Sequence, residues 1–110
     1  MQDCVFCKIA AGCETKNPPG VVYEDDACVV LRAREPLAPQ HLIAFPKEHA
    51  DDVTKMPPNE VGELIAMLVK MGKKWNEGFR LVVNTGPDAG QSVRHAHVHL
   101  IGGAKLGGIA

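Results

Sequence analysis

Three of the chain's five histidines fall within five residues, at His95, His97 and His99, separated by Ala96 and Val98 and followed by Leu100 and Ile101. On an extended strand alternate side chains share a face. This pattern therefore lines up imidazoles about 7 Å apart on one side and turns Ala96, Val98 and Leu100 into a core on the other. Two chemistries suit such a row. One is a tri-histidine metal site with an open position for water. The other is nucleophilic catalysis by one neutral ring that its neighbours orient. Three alternate positions spread over about 13 Å, whereas metal ligands lie about 2 Å from one ion. Two of the rings can share a metal, but all three cannot unless the strand bends, so the central His97 is favoured as a nucleophile. Imidazole has an ordinary pKa near 6.5 and is largely neutral at pH 7. The preceding loop, Asn84 to Ser92, suits phosphorus: Gly90 lets a phosphate approach the backbone, and the loop amides and the Ser92 hydroxyl can donate to its oxygens. No Gly-Lys-Ser/Thr follows, so the loop is not a P-loop.

A second group with chemistry is Cys4 and Cys7, a C-x-x-C pair at the N-terminus. Redox pairs of this spacing follow a strand and open a helix, and no strand is expected before Cys4. Zinc explains the pair better, if two more ligands are supplied. Cys13 and Cys28 read as ordinary thiols.

The elements that must position these groups follow from pattern. Val5 to Ala11 reads as a short helix, ended by Gly12 and the turn-rich Asn17-Pro18-Pro19-Gly20. Val21–Tyr23 and Ala27–Leu31 form a hairpin around Glu24-Asp25-Asp26, and His41–Phe45 is a third strand. After Pro57-Pro58-Asn59, the spacing of Val61, Leu64, Ile65, Leu68, Gly72 and Trp75 predicts one long helix with a buried face, stopped by Gly78. Phe79–Val83 and Val93–Ile101 are the fourth and fifth strands. The order implies an α+β fold with a mainly antiparallel sheet in one domain over 1–110.

The 110 residues include 12 lysines and arginines against 13 aspartates and glutamates, a net charge of −1, with 45% hydrophobic residues. This balance offers no broad positive field for a nucleic-acid backbone. No apolar run approaches the ~20 residues that cross a bilayer. The start of the chain lacks the pattern of a signal peptide, so a cytoplasmic protein is expected.

The run Gly90-Gln91-Ser92-Val93-Arg94-His95-Ala96-His97-Val98-His99-Leu100-Ile101-Gly102-Gly103 resembles the motif of the histidine triad (HIT) family. More closely, it is similar to the branch of histidine triad nucleotide-binding proteins with purine nucleoside phosphoramidase activity. Cys4 to Gly12 and Ala38 to His49 resemble two further blocks of its bacterial members, and the resemblance covers nearly the whole chain. It implies a five-stranded antiparallel sheet with one short N-terminal helix and one long helix, and a homodimer formed through the long helix and a neighbouring strand. It implies hydrolysis of nucleoside phosphoramidates or related nucleotidyl conjugates through a covalent nucleotidyl-histidine on His97. His95 would position that ring or bind zinc, His99 would contact phosphate, and His41 falls on an upstream active-site histidine. Asn84, Gly90, Gln91 and Ser92 fall on positions that hold ribose, phosphate or leaving group. Metal-bearing relatives suggest Cys4, Cys7, His49 and His95 as a structural Zn2+ set, which is chemically apt.

Two departures stand out. Family members usually carry an aspartate that grips the ribose, followed by an apolar residue against the base; these positions are Ala33 and Arg34 here. Bonds to charged groups contribute about 1.5–3 kcal/mol, so nucleoside affinity is expected to fall roughly ten- to hundredfold, unless Arg34 stacks on a base or binds a phosphate instead. The tail Ala104 to Ala110 also differs from the family's longer tryptophan- and proline-containing segment, which leaves leaving-group selection open. The alternative functions are a dinucleoside polyphosphate hydrolase or nucleotidyl transferase, a nucleotide-binding regulatory module with little turnover, and a metal-dependent hydrolase.

Overall fold

The structure is a computed structural model and describes residues 4–11 and 20–108. Cys13, Gly12 and the Asn17–Pro19 turn lie outside the described residues. Helix α1 spans Val5–Ala11 and α2 spans Pro58–Gly72; the strands are β1 (Val21–Glu24), β2 (Cys28–Arg32), β3 (Gln40–Pro46), β4 (Phe79–Val82) and β5 (Val98–Gly102). They form one sheet in the order β1-β2-β3-β5-β4, and every neighbouring pair is antiparallel. The α+β architecture expected from the sequence is therefore present, with five strands and two helices.

The alternation of each strand sorts the sheet into two faces. Val30, Leu42, Ala44, Ala96, Val98 and Leu100 pack with Leu64 and Leu68 of α2. Val29, Leu31 and Phe45 pack on the opposite face with Phe6 of α1. Because α2 covers one side of the sheet and α1 part of the other, β2 is buried on both faces, and Cys28-Val29-Val30-Leu31 is a continuous apolar run. The β1–β2 turn is held by Asp25, whose Oδ1 accepts from the Ala27 and Cys28 amides at 2.8 and 2.9 Å.

The end of the long helix differs from the periodicity. Helix α2 ends at Gly72, so Trp75 lies outside it and Gly78 does not stop it. A Cβ at position 72 would stand 2.6 Å from the Phe79 ring, so the glycine is needed for the close approach of β4. The Trp75 ring covers Gly102 in the same way, and Gly78 serves at a positive φ of 87° just before β4.

The histidine row also departs from a single strand. Ladder pairing of β5 begins at Val98, opposite Ala44, so His95 and His97 precede the strand and only His99 lies on it. The backbone turns aside here: the His95 amide donates to the Val93 carbonyl at 2.8 Å, and the Ala96 amide to the Ala50 carbonyl at 2.7 Å. The inward and outward alternation survives the bend, because Ala96 still joins the α2-side core. No helix among the described residues is long and apolar enough to cross a membrane.

Candidate functional site

His41 on β3 and His99 on β5 point to the face opposite α2, and His97 reaches the same side from just before β5. The rings of His97 and His99 lie 5.1 Å apart between centroids, as do those of His99 and His41. Phe6 stacks on Phe45 at 4.4 Å and presents an edge contact to His97 at 5.2 Å, so α1 forms the wall behind that ring.

Backbone groups assign the protons. The His95 carbonyl lies 2.7 Å from His97 Nδ1 and can only accept, so Nδ1 carries hydrogen and the Nε2 lone pair is left open. The Leu37 amide donates to His41 Nδ1 at 3.1 Å, which puts the His41 proton on Nε2. His41 Nε2 in turn faces His99 Nδ1 at 2.9 Å. His99 therefore accepts at Nδ1 and carries its own proton on Nε2. Burial pushes the His99 pKa down to about 4, helped by the nearby His97 and His41, and burial lowers His41 as well. Both rings are thus neutral at pH 7.

This depression has a consequence for stability. The folded value lies below the ordinary one near 6.5, so the unfolded chain binds more protons in the interval between them. The contribution of a neutral His99 is complete above pH 6.5 and lost as pH falls towards 4, by up to about 3 kcal/mol. Chemical denaturation of wild type and His99→Phe at a series of pH values isolates it. The stability difference between them is expected to shift against wild type over this window, and a constant difference would rule the effect out.

Beside these rings runs a groove of about 610 Å³, lined by Leu37, the Arg80–Asn84 segment, Gly90, Ser92, His97, His99 and Ile101. That is a common size for a small-molecule site. Gly90 adopts a φ of 91°, which favours glycine, and an added Cβ would meet only Asn84 Nδ2, at 3.6 Å. Asn84 donates through Nδ2 to the Ala89 carbonyl at 2.8 Å and braces the loop. Gln91 is spent on the backbone: its Oε1 accepts from Gly86, and its Nε2 donates to the Asp51 and Val93 carbonyls. Of the sequence-derived positions, His97, His99, Asn84, Gly90 and Ser92 line the groove, and His41 stands behind His99. Gln91 and the exposed Arg34 do not line it. Leu37 and Arg80 line it unforeseen. Alternation along β4 could have marked Arg80, whereas nothing in the sequence marks Leu37.

A second cluster adjoins the first. One donor atom from each of Cys4, Cys7, His49 and His95 lies within 4.8 Å of the others. His95 Nδ1 is 3.2 Å from Cys4 Sγ, 3.5 Å from Cys7 Sγ and 3.2 Å from His49 Nδ1, and Cys7 Sγ is 3.2 Å from His49 Nδ1. Tetrahedral zinc would set such donors about 3.4–3.8 Å apart. Both rings are turned for the task. His95 Nε2 donates to the Pro46 carbonyl at 2.7 Å, and His49 Nε2 lies 2.8 Å from Asp51, which leaves each Nδ1 lone pair to the centre. The Asp51 carboxyl is held below its usual range, chiefly by His49 and also by Arg94. The four residues expected from the resemblance are thus brought together as a set that can hold a metal. The bend before β5 makes this arrangement, because it releases His95 from the ladder.

The HIT domain family model matches residues 14–106. The protein HitA of Neisseria gonorrhoeae is 36% identical over 107 residues, covering 93% of this chain and 97% of that protein. A HIT family hydrolase from Clostridium thermocellum superposes with a TM-score of 0.85 at 31% identity, over 99% of this chain and 97% of that one. A Zn-bound histidine triad family protein from Mycobacterium smegmatis superposes with a TM-score of 0.80 at 29% identity, over 91% and 74% of the two chains. With its histidine row, groove and five-stranded sheet, the chain belongs to the HIT domain family, a superfamily of nucleotide-binding hydrolases.

Proposed function

We propose that the protein hydrolyses nucleoside phosphoramidates or related nucleotidyl conjugates through a covalent intermediate on His97. The observation that carries this reading is the Nδ1–H bond of His97 to the His95 carbonyl at 2.7 Å on a ring that lines the groove. It fixes the tautomer in which Nε2 holds a free lone pair. Nε2 attacks phosphorus, the bond from phosphorus to the leaving group breaks, and the electron pair departs with that group. An amine leaving group takes a proton from the Ser92 hydroxyl or a water. Water then attacks phosphorus and gives its proton back to the Ser92 oxygen or to the hydroxide left by the first step, the P–Nε2 bond breaks with its electron pair returning to Nε2, and the nucleoside monophosphate is released with His97 and Ser92 restored.

The remaining residues share the work. His99 Nε2–H donates to a phosphate oxygen, and His41 orients His99 from behind. Gly90, Ser92 and Asn84 receive the phosphate and ribose. Gln91 holds the loop in shape, and Arg34 meets a substrate extending beyond the groove. Zinc on Cys4, Cys7, His49 and His95 is structural: it ties α1 to the segment that carries His97. The chain acts as a cytoplasmic homodimer joined through α2 and the edge strand β4, where Phe79 and the adjoining Val83 are 37% and 39% exposed. Sedimentation is expected to give twice the chain mass.

A nucleotide-binding module with little turnover is the second reading. Ala33 favours it. Its amide bonds the His41 carbonyl at 3.0 Å, which continues the β2–β3 ladder and sets position 33 beside His41 without a carboxylate. Intact-mass spectrometry after brief mixing with adenosine phosphoramidate separates the two. An added adenylyl mass with release of AMP supports hydrolysis, and binding with neither supports the module.

A further inference from the structure

The segment after β3 carries a metal-cluster residue and a contact to the phosphate loop side by side. His49 belongs to the four-residue cluster, the Ala50 carbonyl accepts from the Ala96 amide at 2.7 Å, and the Asp51 carbonyl accepts from Gln91 Nε2 at 2.6 Å. The Asp51 carboxylate is held from two sides of the cluster. Its Oδ1 accepts from His49 Nε2 at 2.8 Å, and its Oδ2 accepts at 3.1 Å from Nη2 of Arg94, the neighbour of His95. Asp51 thus spends its side chain on the cluster and its main chain on the loop. Gln91 carries the connection onward. The Gly86 amide can only donate and the Asp51 and Val93 carbonyls can only accept, so the Gln91 side chain has one orientation. Gln91 closes the loop twice: Oε1 accepts from the Gly86 amide at 2.8 Å, and its own amide donates to the Gly86 carbonyl at 3.1 Å. Gly90 and Ser92, on either side of Gln91, line the groove. A shift of Asp51 therefore moves the residue that closes the loop.

We propose that Asp51 is a positioning residue that couples the two sites: an ion held by Cys4, Cys7, His49 and His95 tightens the binding of a nucleotide phosphate at the Gly86–Ser92 loop, and the phosphate tightens the binding of the ion. The inference rests on the zinc reading of the cluster and the phosphate reading of the loop. An ion on His49 Nδ1 draws electron density from the ring, so the Nε2–H bond to the Asp51 carboxylate strengthens. Asp51 and Gln91 are then fixed before the phosphate arrives, and binding has less of the loop left to order. Linkage makes the effect reciprocal: the phosphate raises the affinity for the ion by the same factor.

The test measures zinc affinity against a competing chelator, with and without saturating AMP. Wild type is expected to hold zinc about five- to 150-fold more tightly when AMP is bound. Gln91→Met keeps the length of the side chain, loses its hydrogen bonds and should remove most of this factor. Asp51→Asn keeps the carbonyl bond to Gln91 but weakens the grip on His49 and loses that on Arg94. It should lower the factor as well, and it carries the test if the Gln91 variant does not fold. Coupling through general stability, or a purely structural role for Gln91, would leave the factor as in wild type, and an unchanged factor in a folded variant overturns the proposal. Equal zinc affinity with and without AMP, in a wild type that binds both, also overturns it and leaves the proposed function standing. A wild type that binds zinc but not AMP overturns the phosphate reading, and one that binds AMP but not zinc overturns the zinc reading; the coupling falls with either.

Discussion

Replacing His97 by asparagine is expected to lower turnover of adenosine phosphoramidate by at least about a thousandfold and to abolish the adenylyl adduct. Asparagine is the informative choice because its side-chain NH2 can still donate to the His95 carbonyl, so the backbone is not left with an unpaired acceptor. No neighbour can take over. The His99 Nδ1 lone pair is engaged by His41, and its Nε2 is protonated. His95 is fully buried and directed at the cysteines. If the variant folded, kept most of its turnover and still gained mass, the nucleophile would lie elsewhere.

The second large effect concerns the Cys4, Cys7, His49 and His95 cluster. The purified protein is expected to carry about one zinc per chain. Its removal by a chelator, or the Cys7→Ser exchange, should lower stability by several kcal/mol, seen as a fall in Tm of roughly 10 °C or more. The mechanism is mechanical. Helix α1 has seven residues, too few to persist alone, and it holds both Cys7 and the Phe6 ring that backs His97. Loss of the ion frees α1, and turnover declines together with thermal stability. A metal-dependent hydrolase would behave differently, losing activity at once in a protein whose Tm is unchanged. Metal analysis showing no zinc, with no response to chelation, would reduce the cluster to buried thiols and imidazoles.

Much of this molecule is legible in its sequence. The strands at Val29–Leu31 and Leu42–Phe45 show as short apolar runs because both of their faces are packed, and Val98–Leu100 shows as an alternation around His99. The i, i+3, i+4 spacing found α2 but overran its end, since Trp75 continues the spacing while packing over Gly102 from a turn. Periodicity cannot distinguish a helix from a turn that buries the same face. It also carried β5 back to Val93, because the alternation of His95 to His99 outlasts the hydrogen-bonded ladder. Spacing alone could not join Cys7 to His49, 42 residues apart, and the metal set was legible only through the family resemblance. The fate of Gln91 needed tertiary information, for its amide is satisfied by a distant backbone carbonyl at Asp51.

The main-chain amide of Leu37 sets the orientation of His41 and, through it, of His99. The direction of this short proton wire is therefore written in a peptide group, while the Leu37 side chain, 77% exposed, forms part of the groove rim. Evolution can exchange that side chain and change what the rim admits without reversing the wire. Proline is the exception, for it alone lacks the hydrogen. Selectivity and reactivity are thus separable at a single position, one carried by the variable part of a residue and the other by its invariant part.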